Sequence, residues 1–406
     1  MFNKISIIPS TFLLCISCNG VEEDSLNLKD IGFSKVKIDR MVSEINKHVD
    51  NGEIAGIQTA VLKNGQLVNF NTYGYADVEE KRPLEENSIF RIYSMTKPIV
   101  SVGLMMLYEK NMFNLDDPVS KFIPEFENIM VYNGKNNLKP INQIKIIDLL
   151  RHSSGYGYGW SDNKDLNSFY EDIWNTKDNQ EFINKILTIP LFSSPDTEWR
   201  YGVNTDICGY LIEVISGKSL DNFLFENIFV PLEMKDTHFK LPDDKINRFV
   251  SNYSFDNDSK KLKRIDKYNS KSYSNVTWFS GGGGLVSTTK DYIKFTLSLL
   301  GKKKYNDITL LSDKTLRLMT KNHIDHLKYP WGEGIGFGLG FSVVTDYEKT
   351  ELLDNNGTFG WSGMAGTIFS VDPEEELILI MMIQRNFPWG NAFSTFNKHA
   401  YESLIN

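Results

Sequence analysis

Three cysteines in 406 residues are too few for a disulfide scaffold. Cys15 and Cys18 stand together near the start, and Cys208 lies without a partner in the apolar helical run Ile207 to Ile215, where it reads as a buried structural thiol. Basic residues are also short. Forty-four Lys and Arg face 52 Asp and Glu, a net charge of −8, so no excess exists to neutralise phosphates and nucleic acid is excluded as a partner. The basic clusters Lys260, Lys261, Lys263, Arg264 and Lys302, Lys303, Lys304 read as solvated loops. His323 and His326 have helical ligand spacing, but no acidic cluster or third histidine accompanies them, so neither metal nor cofactor is expected. Gly-x-Ser-x-Gly is absent, which argues against the strained serine elbow of an α/β-hydrolase. There is no internal repeat and no apolar run long enough to span a bilayer. What is present, 41% hydrophobic and 24% charged residues, suits an ordinary folded protein.

The first residues carry an address. Residues 1–17 hold one lysine, a short apolar core from Ile5 to Leu14 and then small residues, the pattern of a signal peptide. The segment ends Leu14-Cys15-Ile16-Ser17-Cys18, which resembles a bacterial lipoprotein box. That resemblance implies cleavage before Cys18, lipidation of its sulfur and an exported, membrane-anchored protein, in the periplasm or at the cell surface. Residues 18–30, polar and acidic after the cysteine, read as a flexible tether.

Beyond the tether, residues 34–50 carry the apolar spacing of an amphipathic helix. Ile57 to Leu62 and Gln66 to Phe70 flank Asn64-Gly65, the strongest short hairpin signal. Helical runs follow at 98–110, 145–152, 180–187, 205–216, 289–300 and 313–320. Strand-like stretches return at 337–344, 366–371 and 377–383, the last two joined by the turn Asp372 to Glu376, and a helix over 389–405 closes the chain. The economical assembly is an α/β (α+β) fold in which the early hairpin and the late strands share one antiparallel sheet. The first and last helices flank that sheet. Residues 31–94 and 335–406 then form the sheet domain, with 95–334 inserted as an all-helical lobe.

The chemistry centres on Tyr93-Ser94-Met95-Thr96-Lys97-Pro98, which opens an apolar helix. Pro98 is tolerated only in a first turn, so the helix starts at or just before Ser94. Ser94 and Lys97, three residues apart, then share one face. A half-buried lysine at the positive end of a helix has its ammonium form disfavoured, and can accept the serine proton that nucleophilic catalysis must remove. Ser-x-x-Lys recurs at Ser34, Ser161 and Ser287, but those serines read as a helix cap, a polar loop and the start of another helix. Tyr201, at the mouth of a loop in Trp199-Arg200-Tyr201-Gly202-Val203-Asn204, can pass a proton if a cation such as Lys97 is near. The glycine-rich run Gly357 to Thr367 enters a strand whose edge can donate an N–H to an oxyanion.

Ser-x-x-Lys, then a loop tyrosine, then Trp361-Ser362-Gly363 on a late strand resembles the class C β-lactamase-like serine hydrolases, of penicillin-binding-protein-like fold. Within them it is closest to the family VIII carboxylesterases. Leu149 to Gly155, Pro231 to Thr237, Gly282 to Thr288 and Phe337 to Phe341 extend the likeness over nearly the whole chain. The resemblance implies a β-lactamase/DD-peptidase-like fold with Ser94 as nucleophile, Lys97 as its activator and Tyr201 as proton shuttle. It also implies an oxyanion hole from the backbone N–H groups of Ser94 and Met364, with Trp361, Ser362 and Gly363 binding substrate. Two departures stand out. Trp361 occupies the place of the lysine that holds a substrate carboxylate in β-lactamases, and Val203 occupies that of an amide-binding asparagine, with Asn204 one position late. Both favour small neutral esters over β-lactams or D-Ala-D-Ala peptides. Tyr156, Tyr158, Trp160, Trp278 and Trp331 are candidates to line an acyl pocket, and His152 reads as structural. The rival expectations are a β-lactamase or D-alanyl-D-alanine carboxypeptidase, and a catalytically inactive cell-envelope binding module.

Overall fold

The computed structural model describes residues 28–134, 136–269, 272–300 and 308–405. Its helices are α1 (Lys35–Asp50), α2 (Thr96–Glu109), α3 (Ile146–Leu150), α4 (Lys164–Ser168), α5 (Asn179–Ile186), α6 (Asn204–Ser216), α7 (Leu220–Leu224), α8 (Thr289–Ser298), α9 (Asp313–Met319) and α10 (Ala392–Glu402). The strands are β1 (Gly56–Lys63), β2 (Gln66–Asp77), β3 (Arg82–Pro83), β4 (Phe90–Arg91), β5 (Asn252–Asp256), β6 (Lys261–Asp266), β7 (Val286–Ser287), β8 (Ile335–Phe337), β9 (Ser342–Val344), β10 (Phe359–Ser362), β11 (Ile368–Asp372) and β12 (Leu377–Met382).

Among the described residues one eight-stranded sheet dominates, in the order β3-β2-β1-β12-β11-β10-β9-β8. Its centre joins the two ends of the chain, for β1 pairs antiparallel with β12, Ala60 opposite Ile380. Asn64 and Gly65 turn the first hairpin with φ of 55° and 77°, the left-handed values that Asn-Gly adopts at least cost. In β12 the period-two rule separates two cores. Ile378, Ile380 and Met382 face the helical side, while Leu377, Leu379 and Met381 face α1 and α10. Ile38, Met41 and Ile45 of α1 recur on one helical face and are buried in that outer layer. Each such side chain contributes about 1.5–3 kcal/mol on burial.

Several elements differ from the sequence-based expectation. The apolar run 337–344 is not one strand: β8 and β9 pair with each other, and Gly340 turns between them at φ 94°. The inserted region also carries a hairpin, β5 with β6, so it is not purely helical. That hairpin includes Lys261, Lys263 and Arg264, and Arg264 is bound to the buried Asp77 at 2.9 Å, so this basic cluster is not simply a solvated loop. Lys302, Lys303 and Lys304 lie outside the described residues. Ser287 does not open a helix; it lies on β7, and Thr288 caps α8 by accepting from the Asp291 N–H. Ser34 stands at the N-cap of α1 without a side-chain capping bond. The expected signal peptide and Cys18 lie outside the described residues. Residues 18–27 of the expected tether also lie outside the described residues; at its end the Leu28 carbonyl accepts from the Phe33 N–H and the Leu28 side chain packs against the outer core.

Candidate active site

Ser94 sits in a single 3₁₀ turn, Tyr93–Met95, that runs directly into α2. Tyr93 takes φ 42°, a left-handed value that costs about 1–3 kcal/mol for a side chain of this kind and persists only where the surroundings dictate it. Here they do. The Ile92 N–H bonds to Leu285 O, the Ile92 carbonyl accepts from the Met95 N–H, and the Thr367 hydroxyl reaches that same carbonyl at 3.3 Å. Behind the turn the fully buried Arg91 is held by Asp266 at 2.6 Å and by the Val250 carbonyl at 2.5 Å. Gln384 bonds both the N–H and the carbonyl of Arg91.

Helix α2 is buried along most of its length, and Lys97 with it, at 1% exposure. Its Nζ donates to the Tyr158 hydroxyl at 2.8 Å and to the Gly282 carbonyl at 2.6 Å. It also lies 4.8 Å from the centre of the Tyr201 ring. The structure thus brings Tyr201 to Lys97, but the phenol hydrogen-bonded to the amine is Tyr158. Burial, followed by the nearby Tyr201 and Asp206, pushes the Tyr158 phenol well above its ordinary value, so it stays protonated. His152 is fully buried; burial and the Lys97 charge hold it well below its ordinary value and keep it neutral. The Asn204 amide donates to His152 Nδ1 at 2.9 Å, and Ser154 binds the Asn204 carbonyl oxygen. Asn204 therefore does not stand in for the missing asparagine. It braces His152, which serves structure.

The turn after β10 carries Gly363 and Met364 past the nucleophile. A side chain at Gly363 would collide with the Ile92 carbonyl, so the two segments touch here. The Met364 carbonyl accepts from Phe387 N–H and from Trp389 Nε1, while its own N–H goes to no backbone carbonyl among the described residues. One cavity of about 1380 Å³ includes Ser94, Tyr158, Tyr201, Trp361, Ser362, Gly363 and Met364 among its lining. Trp160, Trp278 and Trp331 line it as expected, whereas Tyr156 is fully buried in the core. Trp361 is packed by Tyr201, Trp331 and Phe337, with ring centres 5.2–5.8 Å away. His323 and His326 are engaged by the Leu318 carbonyl and by Asp196. Among the described residues, no group of three or more His, Cys, Asp or Glu side chains is placed to hold a metal ion. Sequence reasoning missed Tyr158 as the partner of Lys97, and Asp206 altogether. Asp206 accepts from Ser280 Oγ at 2.5 Å and from the Gly282 N–H at 2.9 Å. An acid in the first turn of an apolar helix, five residues after Tyr201, is the only local signal it gives.

An antiparallel sheet whose inner strand β10 runs to the site, between β11 and β9, a serine and lysine one turn apart and an aromatic loop converging on one cleft define a serine hydrolase of the β-lactamase and penicillin-binding-protein fold. The chain belongs to the Beta-lactamase family, whose model matches residues 38–399. Protein Rv1367c of Mycobacterium tuberculosis is 30% identical over 364 residues, 86% of this chain and 90% of that one. Esterase EstB of Burkholderia gladioli is 25% identical over 81% of this chain and 86% of its own. Among solved structures, EstCE1, titled a hydrolase with promiscuous acyltransferase activity, superposes with a TM-score of 0.80. It is 23% identical, covering 90% of this chain and 99% of the other, a likeness of fold.

Proposed function

We propose that the protein hydrolyses neutral carboxylic esters through an acyl-enzyme on Ser94. The observation that carries this reading is the lining of the cavity beside Ser94, which is rich in aromatic rings and, among the described residues, contains no Lys, Arg or His. A β-lactam or a peptide ending in D-alanine brings a carboxylate, and nothing in that lining supplies its counter-charge. Trp278 and Trp361 both line this cavity with their rings, while their indole N–H groups are buried without a hydrogen-bond partner among the described residues. The name of the EstB relative agrees with an ester substrate.

In this reading Ser94 Oγ attacks the ester carbonyl carbon while its proton passes to the Lys97–Tyr201 pair. The tetrahedral oxyanion sits between the N–H groups of Ser94 and Met364, each contributing roughly 3 kcal/mol to the barrier reduction. Collapse breaks the bond to the alcohol oxygen, which takes a proton from Tyr201, and water repeats the sequence to release the acid. Ser94→Ala is expected to abolish p-nitrophenyl butyrate hydrolysis and wild-type nitrocefin turnover to stay far below ester turnover. A Ser94→Ala protein as fast as wild type defeats the assignment, and nitrocefin turnover rivalling the best ester favours a β-lactamase. We propose further that Cys18 carries a lipid anchor at the cell envelope. Cys18→Ser should then release the protein from the membrane fraction, and unchanged membrane association rejects the anchor.

A further inference from the structure

Asp206 lies in the first turn of α6 and is 1% exposed. Its Oδ1 is bound by Ser280 Oγ and the Gly282 N–H, while Oδ2 has no hydrogen-bond partner among the described residues. A side chain at Gly282 would run into this carboxylate, so the glycine loop is laid directly against it. The Gly282 carbonyl in turn accepts from Lys97 Nζ. Tyr158 and the Gly282 carbonyl occupy two of the three directions open around the Lys97 nitrogen, and the third is left. Ser94, one helical turn back, is the group that needs it.

We propose that Asp206 is a positioning residue. Through the Gly282 peptide it fixes the direction of the Lys97 amine, and its buried charge steadies the ammonium that forms when Lys97 takes the serine proton. The inference rests on the assignment of Lys97 as proton acceptor. The charge argument is mutual: burial raises the Asp206 carboxyl above its ordinary value, and Lys97 is the first influence opposing that rise. Other titratable groups surround the pair. His152 is kept neutral by burial, Tyr158 is kept protonated, Cys208 beside Asp206 is pushed up by burial, and Tyr201 presents its ring to Lys97.

The test compares pH–rate profiles for p-nitrophenyl butyrate in the full chain. Asp206→Asn keeps the shape, removes the charge and strains the Gly282 bond. It should lower kcat roughly tenfold or more, leave KM within about twofold and move the acid limb of the profile down by about one pH unit. The limb moves down because a neutral amide no longer favours a proton on the neighbouring amine. Ser280→Ala loses one loop bond but keeps the charge, so it should slow the enzyme without moving the limb. A folded Asp206→Asn protein with an unmoved limb, or one whose loss lies in KM, overturns the inference. If Asp206→Asn does not fold, Asp206→Ala is assayed with added formate, where recovery of activity supports the inference and no recovery refutes it. Wild-type enzyme inactive on the ester would instead reject the ester assignment, a separate result.

Discussion

Tyr158→Phe removes one oxygen and nothing else from the site. The ring keeps its neighbours Trp160, Trp174 and Tyr201, at centre separations of 5.0, 5.6 and 5.3 Å, so packing and folding should be retained. What disappears is one of the two hydrogen bonds of the Lys97 amine, made by a phenol that lines the cavity. A hydrogen bond to a group that becomes charged is worth about 1.5–3 kcal/mol. If it acts fully on the ammonium formed in the transition state, kcat falls about 10- to 150-fold. Tyr201→Phe, which removes the proposed proton donor itself, is expected to cost about 10²–10⁴-fold. Steady-state hydrolysis of p-nitrophenyl butyrate by both variants, with melting temperatures confirming the fold, measures the difference. A folded Tyr158→Phe enzyme within twofold of wild type refutes the claim that this phenol holds the amine.

Stability should depend on pH through Asp354. Burial, with Asp372 adding to it, raises its carboxyl to about 6, against about 3.9 in an unfolded chain. The folded state then holds the proton more tightly, so the contribution is complete below about pH 4 and is lost as pH rises through about 6, at most about 3 kcal/mol. Denaturant melts from pH 4 to 7.5 should show this decline in wild type and a flatter profile in Asp354→Asn, and parallel profiles contradict it. Gly363→Ala should displace the turn carrying Met364, because the added carbon meets the Ile92 carbonyl and the Thr367 hydroxyl. The expected result is a loss of kcat of about 100-fold in a folded protein, and near-wild-type kcat rules out close apposition of the two segments.

The sheet was legible where local chemistry decides conformation. Asn64-Gly65 marks its own turn, and the unbroken apolar run Leu377 to Met382 matches a strand buried on both faces. The run 337–344 misled because Phe337, Leu339, Phe341 and Val343 are all buried whether the chain is straight or folded back. Only the Gly340 φ of 94° distinguishes the hairpin. At the site, Ser94 and Lys97 were readable because three residues of helix fix their relation. The Lys97–Tyr158 bond spans 61 residues and the Lys97–Gly282 bond 185, so which phenol and which carbonyl meet the amine depends on tertiary packing alone. Tyr201 was the natural candidate from motif order, and it does face Lys97, but with its ring.

The two departures from the β-lactamase pattern reinforce one another physically. Val203 is fully buried in the core, and Asn204 is tied to His152 and Ser154, so neither residue lines the cavity. Trp361 is 7% exposed and wedged among Tyr201, Trp331 and Phe337. Replacing it with the lysine of a carboxylate-binding relative would open a hole costing about 3–5 kcal/mol and leave an ammonium among aromatic rings. The amide contact would still be missing, because an asparagine at 203 would point into the core where the valine now packs. A single reversion thus removes a wall of the proposed ester cleft without building an anion-binding one. On the proposed reading, neutral-substrate selectivity belongs to the packing around the indole as a unit, and exchanging the one residue should not undo it.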